Sequence, residues 1–438
     1  MHRIVVVGGG AGGLELATQL GNRYGRHRSQ KQASITLVDP EPFHVWKPLL
    51  HEVASGSLDP WVHQVDYAAQ GYWHGFDFAQ GKMTGLDRRL RQVKVGAVFD
   101  ADGEQLFPAR ALRYDTLVIA VGSTTNFFGI PGAQEHSFAL DSVSDAERFR
   151  RCLISACMRA DGVRERKDRR VRVVIVGGGA TGVELAAELR QTARVLSVYG
   201  LHHLDPMQDI HISIIEAGPR ILPTLPERVS ETAAELLDRY GVNIVLAEPV
   251  KKVVAGGLFT SDITFHNADL IVWAAGIKAL SVLSELDGLE VGERGQLLVR
   301  PTLQCQNDEA VFAMGDCAQC HWAGETNWVP PRAQAAHQQA TFLLHAMKLR
   351  IRGENRTLPT FRYKDFGSLV SFGRFGATGN LMGGLIGGRI FVDGLLARLM
   401  YVSLYRMHSL ALQGWWRTGI DIIANALRRS ISTKVKLH

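Results

Sequence analysis

Three glycines near the start of the chain have the spacing that dinucleotide chemistry needs. Gly8, Gly10 and Gly13, with Ala11 and Gly12 between them, form G-x-G-x-x-G directly after the apolar run Ile4–Val7 and before the helix-like Leu14–Leu20. In such a loop the first glycine permits the tight turn and the second admits a pyrophosphate against the backbone. The third lets helix and strand pack closely, and the helix N-terminus then faces the phosphates. The next apolar run, Ile35–Val38, ends in Asp39, placed to accept hydrogen bonds from an adenosine ribose. Asp39 follows the loop by more than the usual ~20 residues, because the polar, basic stretch Asn22 to Ser34 intervenes.

The constellation recurs. Gly177, Gly179 and Gly182 follow Val171–Val176, and a later run, Ile212–Ile215, ends in Glu216. A repeated strand, glycine loop, helix and acid-ended strand implies two dinucleotide sites, and so electron traffic between two cofactors. Carboxylates at both strand ends favour free 2′-hydroxyls over a 2′-phosphate, which prefers FAD and NADH to NADPH. The alternative for each acid is an exposed strand-end carboxylate.

The elements that must hold these loops are short, Val- and Ile-rich and not alternating, which reads as buried parallel strands. Leu117–Val121, Asn243–Leu246, Leu270–Trp273 and Ala310–Ala313 join those already named. Helix-like Leu14–Leu20, Val183–Leu189 and Val229–Tyr240 separate several of them, giving a βα rhythm. Tyr114–Ser123 resembles Leu270–Gly276, each closing its own unit, and the charge-dense Arg159–Arg172 reads as the linker between units.

Composition bounds the rest. A chain of 438 residues suggests about two or three domains. With 46% hydrophobic and 21% charged residues, disorder is excluded. The net charge of +6 is modest and its basic clusters flank apolar aromatics, so nucleic-acid binding is not expected. Five cysteines make no disulfide framework and fit a reducing compartment. No secretory signal and no membrane-spanning segment is expected; the longest mild candidate, Phe375–Gly388, is short and holds six glycines.

Taken together, these residues resemble the flavoprotein superfamily with two dinucleotide-binding domains, whose late FAD motif Ala310–Asp316 resembles. Narrower segments resemble the type II, non-proton-pumping NADH:quinone oxidoreductases of bacterial respiration: Phe43–Glu52, Trp273–Ala279, Gly315–Ala318, Pro331–Gln338, Lys364–Ser371 and Ser403–His408. The resemblance implies an α/β fold of two Rossmann-like domains plus a C-terminal membrane-associating region. The segments would be 1–125 and 285–345 for FAD, 126–284 for NADH and 346–438 for the membrane. It implies FAD contacts at Gly8 to Gly13, Asp39, Lys47, Gly122, Asp316 and Ala335. NADH would meet Gly177, Gly179, Gly182, Glu184, Glu216 and Gly276.

In that family the stretch matching Ala333–Gln338 borders a quinone tunnel. Gln334 and Gln338 are therefore the first quinone-side candidates, with His337 and Lys364 behind them. The implied reaction takes hydride from NADH to FAD and two electrons on to a membrane quinone. Glu184 would position the nicotinamide; its alternative is an ordinary first-turn glutamate favoured by the helix dipole. His337, with a reference pKa near 6.5, would help supply protons to quinol, or be structural. No metal is implied, and the C-x-x-C of Cys317 and Cys320 lacks partner ligands, which favours packing. Cys152 and Cys157 lie between the units, so a disulfide reductase or a sulfide:quinone oxidoreductase is not favoured.

From Gly394 the chain turns apolar, aromatic and basic. On a helix Arg398, Arg406, Ser409, Gln413 and Arg417 share an arc of about 100°, on which Leu399, Val402 and Trp416 intrude, so the amphipathicity is imperfect. A second segment, Ile420–Leu427, precedes Arg428, Arg429, Lys434 and Lys436. This pattern suits a helix lying in the headgroup plane, with each basic residue worth ~1 kcal/mol on anionic lipid. A core helix with a dimer surface is the alternative, so a homodimer is a further expectation. The expected location is peripheral, on the cytoplasmic side of a bacterial inner membrane. The competing functions are an NADH-dependent flavoprotein reductase with another acceptor and a nucleotide-sensing flavoprotein.

Overall fold

The computed structural model describes all residues except 26–31, 164, 166–168, 199–200, 202, 326, 354–357, 373–376, 383–388 and 432–438. The side chains of 196–198, 368, 377–382, 389–402, 404–405, 421 and 425–431 are likewise outside the description. Nine parallel strands carry the argument: β1 His2–Val7, β2 Ala33–Asp39, β3 Asp77–Gln80, β4 Thr116–Ile119, β5 Val171–Val176, β6 Ile210–Ile215, β7 Val242–Val245, β8 Leu270–Trp273 and β9 Val311–Ala313. Five helices matter beside them: α1 Ala11–Tyr24, α2 Tyr67–His74, α3 Ala180–Val198, α4 Ala333–Ile351 and α5 Gly394–Ile431.

The chain forms two compact units, Met1–Trp46 with His63–Thr124 and Lys278–Lys364, and Lys47–Val62 with Thr125–Ile277 and Asp365–His438. In the first, the strand order is β9-β4-β1-β2-β3, parallel throughout. In the second it is β7-β6-β5-β8, also parallel. The two sheets repeat one plan, with the strand that feeds a glycine loop (β1 or β5) flanked by the acid-ended strand and the closing strand. Each also inserts a small antiparallel sheet before its closing strand: Met83–Asp87, Gln92–Val95 and Arg110–Arg113 in one, Lys252–Val254, Gly257–Phe259 and Phe265–Asn267 in the other.

The apolar runs are strands because both faces are covered. Ile4, Val5, Val6 and Val7 are each at most 2% exposed, and Ile212, Ile214 and Ile215 at most 1%. Burial on both faces leaves no solvent side to impose alternation.

The C-terminal part opens with an antiparallel sheet of Gly367–Ser371, Ala377–Met382 and Arg389–Asp393, then continues as α5. Gly414, at φ 76° and ψ 168°, breaks α5 into two helical pieces. Around the break Met407, Leu410, Trp415, Trp416, Ile420 and Ile423 are exposed, as is Arg417. The Trp415 and Trp416 rings meet edge to face at 5.5 Å. Among the described residues, no helix is long and apolar enough to cross a membrane. Lys434 and Lys436, and the side chains of Arg398, Arg428 and Arg429, lie outside the described residues, as does part of Phe375–Gly388.

Candidate functional site

The two glycine loops are built alike, and each glycine has its own physical reason. Gly8 turns at φ +104° and Gly177 at φ +109°, a conformation glycine adopts without penalty. Their N–H groups donate to Val38 O and Ile215 O at 2.7 and 2.8 Å. A Cβ on Gly13 would stand 1.9 Å from Gly8 O, and one on Gly182 2.1 Å from Gly177 O, so close packing of helix on strand excludes any side chain. Gly12 is also packed tight, its Cβ position lying 2.3 Å from Met314 Cε and 2.9 Å from Ala336 O.

The middle glycines differ. Gly10 has φ −65° and ψ −171°, which any residue can adopt. A Cβ on Gly10 or on Gly179 would meet nothing within 4 Å. Neither backbone conformation nor the protein's own packing demands glycine there. The open space lies at the N-termini of α1 and α3, where free N–H groups and the helix dipole favour an anion. This cradle fits the pyrophosphates of FAD and NADH.

Each strand-end acid is tied to its own loop. Asp39 Oδ2 accepts from Gly9 N and Glu216 Oε2 from Gly178 N, both at 2.6 Å. The second oxygens accept from Glu41 N at 3.0 Å and from Gly218 N at 2.7 Å. A carboxylate has about four acceptor sites, so ribose hydroxyls can still be accommodated.

In the first unit Gly9 O accepts from both Tyr67 OH at 2.8 Å and His44 Nδ1 at 2.9 Å. Burial, then Asp39 and Glu41, hold the Tyr67 phenol well above its usual range, so it remains a donor. Gly122 follows β4 at φ +72° with open space beside it. Asp316 sits in the turn Gly315–Cys317 after β9, and its Oδ2 accepts from Ser123 Oγ at 2.8 Å. Gln339 Oε1 accepts from Gly315 N at 2.7 Å and Gln296 Nε2 donates to Asp316 O at 2.7 Å, fixing that turn. Ala335 is buried in the first turn of α4. Lys47 opens the short 3-10 turn Lys47–Leu49, is exposed, and belongs to the second unit.

Three consecutive residues anchor α4 in three directions. His337 Nδ1 lies 2.7 Å from Glu15 Oε2 on α1, and Gln339 holds Gly315 as described. Gln338 uses both amide atoms on the main chain of Lys364, donating to its O at 2.8 Å and accepting from its N at 2.9 Å. Of the quinone-side candidates, Gln338 is therefore a clamp on the 364 segment, Gln334 is half-buried one turn earlier, and the Lys364 side chain is exposed.

In the second unit Glu184 is 7% exposed on α3. Its Oε1 accepts from Ser371 N at 3.0 Å, and its Oε2 lies 3.6 Å from His51 Nδ1. Burial lowers His51 to about 4, so the ring is neutral near pH 7 and the contact is not an ion pair. Gly276 follows β8 at φ +75°, its O accepting from Asn126 N at 3.2 Å.

The cysteines pack. All five are free. Burial pushes Cys157, Cys305, Cys317 and Cys320 up to about 12, so none is a thiolate at neutral pH. Cys317 Sγ contacts Met314 O at 3.1 Å. Among the described residues no group of three potential metal ligands occurs.

His44, Tyr67, Ser123, Gln296 and Gln339 are site residues that the sequence reading did not single out. His44 lies inside the Phe43–Glu52 segment and Gln339 directly after Gln338, so both sat beside a signal. Ser123 likewise directly follows Gly122, whereas Tyr67 and Gln296 have no local signal, because their partners are distant in the chain.

A model of the pyridine nucleotide-disulphide oxidoreductase family matches residues 2–340. The chain is similar to the type II NADH:quinone oxidoreductase of Haemophilus influenzae, at 41% identity over 451 residues covering all of both chains. It is also similar to the enzyme of that name from Staphylococcus aureus, at 27% identity over 88% of this chain and 91% of the relative. The fold is shared with NDH2 from Plasmodium falciparum solved with NADH, at TM-score 0.81 over 99% and 100% of the two chains and 19% identity. It is shared as well with the sulfide:quinone oxidoreductase of Aquifex aeolicus, at TM-score 0.72 over 99% and 96% and 18% identity. With a full-length relative at this identity and a family model across most of its length, the chain belongs to the type II NADH:quinone oxidoreductases, within the pyridine nucleotide-disulphide oxidoreductase family.

Proposed function

We propose that this chain is a respiratory NADH:quinone oxidoreductase that moves electrons without pumping protons. The observation that carries the reading is the pair of open spaces beside Gly10 and Gly179, one per unit, each at a helix N-terminus and each unexplained by the protein's own packing. The quinone as acceptor comes from the full-length Haemophilus relative, which is named for it. When bound, FAD supplies the redox chemistry, accepting hydride from NADH and releasing two electrons to quinone.

The protein's share is binding and orientation. Gly8 to Gly13, with Asp39 on the ribose side, would hold the FAD pyrophosphate, and Gly122, Asp316 and Ala335 the remainder. Gly177, Gly179 and Gly182, with Glu216 and Gly276, would hold NADH, and Glu184 would orient its nicotinamide end. Gln334 and His337 would face quinone, while Gln338 and Lys364 shape that side through their shared backbone clamp.

The reading extends to a lipid surface. Trp415, Trp416, Ile420 and Ile423 are exposed beside Arg417, a combination of interfacial aromatics and cation that suits the headgroup layer. The cytoplasmic face of the membrane follows from the origin of NADH. A homodimer through the same surface is the competing occupant. Sedimentation with anionic and zwitterionic vesicles separates them: docking predicts anionic preference that Trp415→Ala with Trp416→Ala weakens. A concentration-dependent dimer lost in that variant, with no vesicle binding, would give the surface to a second copy.

The reaction is tested on protein purified in mild detergent. NADH added without oxygen should bleach a flavin spectrum, a short-chain quinone should restore it, and NADPH should bleach it far more slowly. Bleaching without recovery by quinone would move the function to another acceptor or to nucleotide sensing.

A further inference from the structure

Glu15 has no part in the assignments above, yet its carboxylate is fully buried. It stands two residues beyond Gly13 on α1, between the buried Leu14 and Leu16. A buried carboxylate is costly unless it is paired and hydrogen-bonded, and this one has two partners. Gln19 Nε2, one turn on, donates to Oε1 at 2.8 Å, and His337 Nδ1 meets Oε2 at 2.7 Å from α4. The second distance is that of a charge-assisted bond. The imidazole is nevertheless open, with 45% of its side-chain surface exposed. One ring nitrogen is thus committed to a buried anion while the ring keeps a route to solvent.

We propose that Glu15 is a positioning residue for proton delivery. It fixes the His337 ring and stabilises the charge that ring carries before it gives a proton to the reduced quinone. The inference rests on the reading of this face of α4 as the quinone side. The stoichiometry requires such a donor. NADH delivers two electrons and one proton as hydride, whereas forming quinol consumes two electrons and two protons. The balance is NADH, one proton from solution and quinone giving NAD⁺ and quinol. In the delivery step the Nε2–H bond of the imidazolium breaks, a quinol O–H bond forms, and the neutral ring is recharged from solvent.

The electrostatics agree with that use. The hydrogen bond to Glu15 raises the His337 pKa, burial opposes it, and the field of Glu15 adds to the rise. Among the described residues Glu15 is the charged group acting on the ring; Gln19 on α1 and Gln338 on α4 are neutral, and Lys364 contributes its main chain to Gln338.

Glu15→Gln tests the proposal, since it keeps the size and an acceptor for Nδ1–H but removes the charge. The FAD-loaded enzyme is used for two measurements: the titration of His337 by histidine-selective NMR, assigned by loss of its signal in His337→Gln, and the ratio of quinone to ferricyanide turnover against pH. Ferricyanide takes electrons without protons, so the ratio isolates proton delivery. Glu15→Gln should lower the pH at which His337 titrates and shift the alkaline fall of the ratio by the same amount. A shift of one unit lowers the ratio about tenfold on the alkaline side. Glu15→Asp should recover part of both, and His337→Gln, at a half-exposed position, should abolish the alkaline fall.

An unmoved His337 titration in Glu15→Gln overturns the pairing, and a moved titration with an unmoved ratio overturns proton delivery. Gln334→Ala separates these from failure of the underlying reading. If the quinone KM is unchanged in that variant, this face of α4 is not the quinone side and the proposal falls with it. If the KM rises while the ratio profile of Glu15→Gln stays put, only proton delivery falls.

Discussion

Gly179→Ala isolates the ligand-bearing role of the second loop from its folding role. The added methyl meets no protein atom within 4 Å, and Gly179 is not among the residues at positive φ. Gly179 is the N-cap of α3, where Ala is less favourable than Gly, and this offsets the gain of about 0.4–1 kcal/mol from a less flexible unfolded chain, so folding should change by less than about 1 kcal/mol. The methyl occupies the space where a pyrophosphate would approach the N-terminus of α3, and losing one charge-assisted backbone bond costs about 1.5–3 kcal/mol. The NADH dissociation constant should rise about 10- to 150-fold. Gly182→Ala is the contrast: its methyl would sit 2.1 Å from Gly177 O, more than 1 Å inside normal contact, so helix and strand must part. Overpacking of that kind costs about 1–3 kcal/mol. The assay is anaerobic stopped-flow bleaching of the flavin against NADH concentration, beside calorimetric melting of both variants. Gly179→Ala binding NADH within twofold of wild type, or melting as early as Gly182→Ala, would refute the assignment of that space to nucleotide.

Two further expectations concern titrating groups. Iodoacetamide at pH 7.5 should leave Cys157, Cys305, Cys317 and Cys320 unmodified in the folded protein, because burial keeps them protonated with values of about 12; peptide mass spectrometry showing alkylated Cys317 before unfolding would contradict this. The Arg3 guanidinium, against desolvation, holds the Asp115 carboxyl at about 2, through bonds of 2.8 and 3.1 Å. A depressed folded value stabilises fully above the unfolded value of ~3.9 and is lost as pH falls through about 2. Urea unfolding should therefore show Asp115→Asn less stable at pH 7, by at most ~1 kcal/mol for a pair this exposed, with the gap closing near pH 2. A gap that widens in acid would contradict the pairing.

The features legible in the sequence are those whose physics is local. The glycine spacing, the acid at each strand end and the Val- and Ile-rich runs each declare themselves within a dozen residues, and the sheets are built on them. The strand β3 does not: Asp77-Phe-Ala-Gln80 is short and half polar, and becomes a strand because Thr36 to Asp39 of β2 offers it an edge. Tyr67 and His44 reach Gly9 from 58 and 35 residues away, contacts that exist only after folding. The Ala333–Gln338 stretch stands out in the sequence by resemblance, but the use of Gln338 depends on Lys364, 26 residues on. The C-terminal helix was visible too. Its break at Gly414 was not, because one glycine in a helical pattern is ordinary until its φ is known.

The engagement of Glu216 carries a lesson for redesign. Both of its oxygens are held by main-chain N–H groups, one in the glycine loop and one in the turn beyond β6. The strand-end carboxylate is thus also a rivet joining two loops. Exchanging it for a cation to recruit a phosphorylated nucleotide removes two charge-assisted bonds at once, about 1.5–3 kcal/mol each. A conversion of nucleotide preference here must first supply both loops with acceptors, which Glu216→Gln does for only one of them because its amide NH2 cannot accept, and add the phosphate-binding cation from a neighbouring position.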